Sequence, residues 1–484
     1  METPYLFPWM AGSPRDQLTE PEDIATEIRA AKARKLPRLP NIPGCRMLRP
    51  GDVGYATRLK VYNARTQVAP ALFAVCSTVE AVAAVVRWVK DNGLAFAVRS
   101  GGHSYEGYSN SSSVVIDIRS LNKVTFDKPN LTVTVGAGAT IGDIQNFLKG
   151  KRVAFAAGSC PSVGIGGHAL GGGYGLLSRA YGLASDNLQS LDMVSAAGAT
   201  ITATKTINPD LYWASRGGGG GSFGIATEFT FSVHPIGSVI VFGQSWSLPA
   251  SRALRIVDAW QQWAPVTHRG TTALLKIAKI DPNTVSLRCL GQSIAPADII
   301  DRDLRALERI EPLSKPRTFR TMSFWNAVQY FAGSDPDPAY QKEKSDFVPA
   351  LTTSGMTMLL AQMTGQSSTH IATILNAYGG AIDAMGEGES AFPHRRSIQY
   401  MIHYYSGWDS TTSTQARVTE ANAFYQAMRP HVPGKAYVNY IDADLPNWQN
   451  AYWGQNFGRL KAVKRAFDPT NLFHFARSIP LSKR

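Results

Sequence analysis

Glycine constrains this chain more than any other residue type. Of its 43 glycines, the densest groups fall between residues 101 and 224: Gly101-Gly102, the run Gly164, Gly166, Gly167, Gly171, Gly172, Gly173 and Gly175, and Gly217 to Gly221. A glycine in ordered structure costs backbone entropy, but it lets the main chain turn sharply or approach another group closely. So many in about a dozen residues imply that something flat or charged presses on the main chain there. Two chemically capable side chains sit beside these groups, His103 in Arg99-Ser100-Gly101-Gly102-His103-Ser104-Tyr105 and Cys160 in Gly158-Ser159-Cys160-Pro161.

Size and composition bound the rest. A chain of 484 residues exceeds one hydrophobic core, so two domains are expected. With 44% hydrophobic and 18% charged residues, the chain is of the globular class. No apolar run approaches the roughly 20 residues that span a bilayer, so no membrane partner is expected. Met1 to Arg15 carries Pro4, Pro8 and Pro14 and no basic residue ahead of its short apolar patch, unlike a secretory signal. A cytoplasmic location is expected, or secretion if a leader is missing. Cys45, Cys76, Cys160 and Cys289 are widely spaced, which argues against a disulfide framework and against a zinc site; no metal is expected. Asn110-Ser111-Ser112 and Asn130-Leu131-Thr132 fit the glycosylation acceptor pattern.

The net charge of +13 raises the question of nucleic acid. The densest basic stretch, Arg29, Lys32, Arg34, Lys35, Arg38, Arg46 and Arg49, lacks interleaved aromatics, and Pro37, Pro40, Pro43 and Pro50 break any helix in it. It reads as a solvated arm, and no nucleic-acid partner is expected. The general positive field would still draw anionic substrates.

Along the chain, residues 20–35 read as an amphipathic helix with Thr19 as N-cap and Pro21 in its first turn. From about residue 68, strands (72–75, 95–98, 114–118, 132–135, 193–195 and 227–233) alternate with helices (77–91, burying Val79, Val82, Val85, Val86 and Val89, and 141–148). Composition changes after Pro235. Trp246, Trp260, Trp263, Trp325, Tyr330, Phe331, Tyr340, Tyr404, Tyr405 and Trp408 punctuate a region with strands at 239–245 and 397–403. Aromatics in such numbers are mostly core, so two or three of them are expected to reach a cleft. The division is 1–67 as N-terminal helix and basic arm, 68–237 as cofactor domain, 238–435 as substrate domain, and 436–484 as a segment returning to the cofactor domain.

His103 follows a strand and two glycines, a geometry in which consecutive N–H groups can cradle a pyrophosphate. The loop is not a dinucleotide fingerprint, because GxGxxG with a following long helix is missing. Read alone, His103 is as compatible with a structural histidine as with a covalent tether, and Cys160 with a buried small hydrophobe.

Taken together, the motifs resemble the berberine-bridge-enzyme-like oxidases of the vanillyl-alcohol-oxidase/PCMH flavoprotein fold. The matching segments are Arg99–Tyr105, Cys160–Gly167, Gly171–Gly175, Gly182–Asn187, Trp213–Arg216 with Ser222–Ile225, Tyr437-Val438-Asn439-Tyr440 and Asp468–Phe473. The resemblance implies an α+β fold: a PCMH-type FAD-binding domain plus a substrate domain with an antiparallel sheet covered by helices. It implies FAD bound twice, through His103 to the 8α-methyl carbon and Cys160 to C6, with Arg99, Ser100, Gly101, Gly102, Ser104, Val163, Gly164, Gly166, Gly167, His168, Gly173, Gly175, Gly224, Ile225, Tyr437 and Asn439 around the cofactor.

By the same resemblance Tyr440 is the catalytic base, and Tyr105 and Tyr174 line the substrate pocket with catalytic roles. Tyr437 and His403 contact substrate, with His403 standing where oligosaccharide oxidases often carry Gln. Asn376 stands in the place of an Asp supporting the base, and Arg477 in that of a Gln. A phenol titrates near 10 and needs an adjacent cation or donor to act as a base near neutrality. If Tyr437 to Tyr440 is a strand, 437 and 439 face one side and 438 and 440 the other, unless a bulge intervenes. The implied activity is oxidation of a carbohydrate hydroxyl by hydride transfer to flavin, with dioxygen reduced to hydrogen peroxide, in a monomer. The alternative is a tailoring oxidase acting on an alkaloid, polyketide or other secondary metabolite.

Overall fold

The first sheet explains why the Pro-rich N-terminal stretch is not an arm. In the computed structural model, which describes residues 21–332, 340–364, 371–408 and 413–481, Cys45–Leu48 forms a strand antiparallel to Leu72–Cys76. Val114–Asp117 and Phe96–Arg99 continue that sheet in parallel. The prolines bound the strand rather than prevent it. Part of the basic charge is spent on the fold, since Arg34 donates to Ala69 O and Ser112 O, and Arg46 to Val53 O. The pairing also brings Cys45 and Cys76 opposite each other with their sulfurs 4.0 Å apart, a proximity that sequence spacing conceals. The N-terminal helix runs Pro21–Ala33; the expected Thr19 cap lies outside the described residues.

A second sheet, all antiparallel, has the order Val124–Asp127, Thr132–Gly136, Ile225–Ser232, Leu188–Val194, Thr200–Thr204. The helix Val79–Asp91 packs between the two sheets. The Thr78 hydroxyl accepts from Ala81 N at its start, and Val82, Val85, Val86 and Val89 are fully buried. Each fully buried valine is worth about 1.5–3 kcal/mol, so this stripe welds the two sheets into one layered core.

The third sheet has seven antiparallel strands, Thr318–Ser323, Ser238–Pro249, Thr284–Ser293, Thr271–Lys279, Ile371–Ala377, Tyr400–Trp408 and Tyr340–Val348 in spatial order. Helices Ala250–Trp263 and Thr414–Met428 cover one face; the other face forms a wall of the cavity described below. The expected strand at 397–403 begins at Tyr400 instead.

Tyr340–Val348 is unusual because all nine residues are buried although six are polar or charged. On its helix side, Lys342 pairs with Glu106 (2.5 Å) and Asp442 (2.7 Å), Lys344 with Asp442 (2.6 Å), and Asp346 with Arg429. Charges buried in this way persist only when paired. The network ties the sheet to the loop after His103 and to the C-terminal segment. That segment also reaches the glycine run 217–221: Lys464, fully buried, bonds Asp468 (2.6 Å), Ser222 O (2.8 Å) and Phe473 O (2.6 Å), while Trp453 donates to Gly217 O. No helix among the described residues is long and apolar enough to cross a membrane.

Candidate active site

Two loops are locked back to back at the centre of the molecule. The helix Ile141–Leu148 starts with N–H groups that no intrahelical carbonyl can satisfy. Ile141 N donates to Val163 O and Gly142 N to Pro161 O, so the helix start holds the Cys160 loop. That loop presses on the His103 loop: a Cβ on Gly101 would lie 2.2 Å from Gly164 N, and one on Gly164 2.2 Å from Gly101 N. The close approach brings Ser162 between the two reactive side chains. Its hydroxyl is 2.8 Å from His103 Nε2 and 3.6 Å from Cys160 Sγ. Burial lowers the His103 pKa to about 4, leaving a neutral imidazole. His168 is lowered to about 4 for the same reason, and its Nε2 accepts from Gly158 N at 3.1 Å.

Both loops line one cavity of about 450 Å³ that runs to the third sheet. A methyl on Gly167 would meet no atom within 4 Å, so it would enter that space. The other glycines correct the sequence reading. A Cβ on Gly171 would lie 1.9 Å from Asn439 Oδ1, on Gly173 2.6 Å from Ala184 Cβ, and on Gly175 1.8 Å from Ala157 O. What presses on most of the run is the protein itself.

Tyr437-Val438-Asn439-Tyr440 is a turn, not a strand, closed by Tyr440 N donating to Tyr437 O at 2.9 Å. Tyr437 and Tyr440 therefore share a side, with ring centroids 5.0 Å apart. The Tyr437 hydroxyl oxygen accepts from Gly173 N (2.8 Å), Asn439 Nδ2 (3.0 Å) and Tyr174 N (3.2 Å). Tyr174 in turn donates its hydroxyl to Ala377 O (2.8 Å). Both hydroxyls are thus committed to the scaffold. The Tyr440 ring packs, tilted, against His403 (4.2 Å, 34°) and Tyr105 (5.4 Å, 33°). Burial, then Tyr437, Glu343 and Tyr174, push its phenol well above the ordinary range. Burial and the Glu343 carboxylate do the same to Tyr105.

Of the residues singled out from sequence, His103, Cys160, Ser100, Gly101, Gly102, Ser104, Tyr105, Val163, Gly164, Gly166, Gly167, His168, Tyr174, Gly175, Gly224, Ile225, His403, Tyr437, Asn439 and Tyr440 all line the cavity. Arg99 and Gly173 do not. Arg99 is buried behind its loop, its guanidinium spent on Arg58 O, Ser109 O and Asn110 Oδ1. Asn376 faces the cavity, but its amide donates to Ile374 O and Met401 O rather than to Tyr440. Arg477 bonds Asp442 O and Ala443 O. Of the ten aromatics of the substrate region, Phe331 and Tyr405 reach the cavity.

Sequence reasoning missed Glu343. It is 1% exposed and lies 2.5 Å, Oε2 to Nε2, from His403. Nothing in Gln341-Lys342-Glu343-Lys344-Ser345-Asp346 alternates apolar with polar, so the segment carries no signal of a buried strand.

A cavity edged by paired glycine loops, with a neutral imidazole and a thiol meeting at one hydroxyl, has residues that fit FAD. Comparison with known proteins agrees. The FAD binding domain family matches residues 70–204, and the berberine and berberine-like family residues 436–480. An uncharacterized FAD-linked oxidoreductase of Bacillus subtilis (strain 168), YvdP, is 32% identical over 455 residues, 90% of this chain and 98% of its own length. Among solved structures, Physcomitrella patens BBE-like 1 superposes with a TM-score of 0.82 at 30% identity, covering 95% of this chain and 100% of its own. Chitooligosaccharide oxidase superposes with a TM-score of 0.82 at 25% identity, with the same coverage. The chain belongs to the berberine-bridge-enzyme-like family of FAD-linked oxidoreductases, with an α+β PCMH-type fold.

Proposed function

We propose that the protein is an oxidase in which His103 and Cys160 both bond covalently to FAD and a carbohydrate hydroxyl is oxidised. The contact of both reactive atoms with the Ser162 hydroxyl supports the double tether. A neutral His103 nitrogen retains the lone pair that a bond to carbon requires. Bound FAD would supply the oxidant that takes a hydride from the substrate carbon and passes the electrons to dioxygen.

The observation that carries the substrate class is the polar, aromatic end of the cavity. Tyr105, Tyr440 and Tyr405 offer ring faces beside the polar groups of His403, Glu343 and Asn376. That combination suits a sugar, whose ring faces stack on aromatics while its hydroxyls bond polar side chains. Tyr440 and His403 flank the position of the reacting hydroxyl, and Tyr105 and Tyr437 bound it. Chitooligosaccharide oxidase as a structural neighbour is consistent with this class.

A second reading rests on Leu274, Ile374 and Phe331, which make the adjoining wall apolar and would suit an aromatic alcohol of a secondary metabolite. Anaerobic flavin bleaching with mono- and oligosaccharides against aromatic alcohols decides between them, followed by admission of air and assay of peroxide. Bleaching by sugars supports the carbohydrate reading, and bleaching by aromatic alcohols alone replaces it with the second.

A further inference from the structure

Every cause acting on Tyr440 opposes its ionisation, and none is a cation. A phenol in that setting is a poor proton acceptor near neutrality. Beside it stands the buried pair of Glu343 and His403. Among the described residues, His403 is the only basic side chain paired with Glu343, its Nε2–H donating to the carboxylate. Lys342 and Lys344 flank Glu343 in sequence but project to the other face of the strand, where Glu106 and Asp442 take them. Burying a carboxylate costs several kcal/mol unless partners compensate, and here the His403 ring N–H and the Tyr105 hydroxyl supply the hydrogen bonds. With Nε2 bonded to Glu343, the other ring nitrogen, Nδ1, makes no hydrogen bond among the described residues, and His403 lines the cavity. The ring is held in place by Tyr440 at 4.2 Å and, nearly parallel, Tyr105 at 6.3 Å.

We propose that the Glu343–His403 dyad, and not the Tyr440 phenol, receives the proton of the substrate hydroxyl, at His403 Nδ1. This rests on the alcohol-oxidation reading above. The substrate O–H breaks and its proton forms a bond to Nδ1. The C–H breaks and its electron pair leaves as hydride to the oxidised cofactor, and the carbon–oxygen bond becomes a carbonyl. The resulting imidazolium is neutralised by Glu343, as a buried carboxylate stabilises imidazolium in hydrolytic triads. The proton then passes to solvent. Tyr440 keeps its own proton and orients the hydroxyl by hydrogen bonding. Glu343 touches no substrate in this scheme and is a positioning residue.

The test uses the flavin-loaded protein and the variants Glu343→Gln, Glu343→Asp, His403→Asn, His403→Ala and Tyr440→Phe, with acid-stable yellow colour as the check that each has folded and kept its cofactor. The probe is whichever alcohol in the sugar and aromatic panel bleaches wild type. Glu343→Gln and His403→Asn should slow bleaching at saturating probe by ~10²–10⁴-fold with little change in half-saturating concentration. Tyr440→Phe should lose about tenfold, the worth of one hydrogen bond. Glu343→Asp should recover part of the rate, and added imidazole should revive His403→Ala. Independently of substrate, proton NMR of the wild-type protein should show a far-downfield imidazole proton that vanishes in Glu343→Gln and His403→Asn. Wild-type bleaching that Tyr440→Phe abolishes while the dyad variants stay within tenfold overturns the proposal. Absence of the downfield proton also overturns it. Failure of every alcohol to bleach wild type instead removes the alcohol reading, and the dyad's role with it.

Discussion

The Ser162 hydroxyl is hydrogen-bonded to His103 Nε2 at 2.8 Å, and this one contact joins the two glycine-flanked loops through their chemistry as well as their packing. Because Cys160 Sγ touches the same hydroxyl, either tether alone should hold the cofactor in register. His103→Ala and Cys160→Ala should each leave flavin that stays with acid-precipitated protein, and the double variant should release all of it. Intact-protein mass spectrometry before and after acid treatment checks this. Complete release from one single variant would mean that only the residue it removes forms a bond.

Tyr437→Phe should cost stability rather than chemistry alone. Its hydroxyl oxygen serves three N–H donors, two of them backbone groups of the glycine run. Leaving buried donors unsatisfied costs about 1–3 kcal/mol each. Denaturant unfolding should show a lower midpoint with an unchanged slope. An unaltered midpoint would mean that the donors find other partners.

Acidification should weaken the Cys160 loop through His168. Its folded pKa is about 4 because burial disfavours the imidazolium, while an unfolded histidine titrates near 6.5. Between those values the unfolded chain binds a proton that the native state refuses, so His168 costs stability as pH falls from about 6.5 to 4. Asp346 works the other way. Burial raises its carboxyl to about 6 even though Arg429 opposes the shift, so its contribution declines as pH rises from about 4 to 6. His168→Gln should therefore flatten the acid limb of the stability curve, and Asp346→Asn should steepen it. Urea midpoints measured between pH 4 and 8 separate the two.

Asp468→Asn should destabilise the C-terminal segment by about 3–5 kcal/mol, the usual cost of breaking a fully buried ion pair. The carboxylate holds Lys464 and also accepts from Leu472 N and Phe473 N. Limited proteolysis should find new cleavage after residue 436, and a resistance equal to wild type would contradict the ion pair's importance.

Most of the cavity lining was legible through the motifs that carry the family resemblance, such as Arg99–Tyr105 and Cys160–Gly167, which keep their order along the chain. Elements with clean period, such as Val79–Asp91 and Ile141–Leu148, were legible for the same local reason. What escaped depends on contacts distant in sequence. Glu343 lies in a strand whose charged groups are paired with Glu106, Asp442, Arg429 and His403, none of them adjacent in the chain. Local pattern reads such a segment as solvated. The turn at 437–440 escaped because the N–H groups that anchor its Tyr437 hydroxyl belong to Gly173 and Tyr174, far away in the chain. Arg99 was misassigned because its motif marks the loop, while the side chain points away from the cavity into the scaffold.

The glycine groups themselves divide into two kinds, and substitution to alanine should separate them. A methyl on Gly175 would overlap Ala157 O at 1.8 Å, and one on Gly101 would overlap Gly164 N at 2.2 Å, both backbone atoms that cannot swing aside. Forced overpacking typically costs 1–3 kcal/mol, occasionally more, so Gly175→Ala and Gly101→Ala should unfold earlier or fail to accumulate as soluble protein. Gly167 is the contrast. It has ordinary helical geometry within Ile165–Leu170, and its methyl would meet nothing within 4 Å. In a helix interior alanine is preferred to glycine by about 1 kcal/mol, so Gly167→Ala should fold at least as well as wild type. The added methyl would enter the cavity at the helix that follows the Cys160 loop, where the cofactor needs room. The expected result is a stable protein with reduced flavin content, read from the ratio of visible to ultraviolet absorbance alongside thermal unfolding. Full flavin content in a stable Gly167→Ala protein would mean that the cofactor does not approach this glycine.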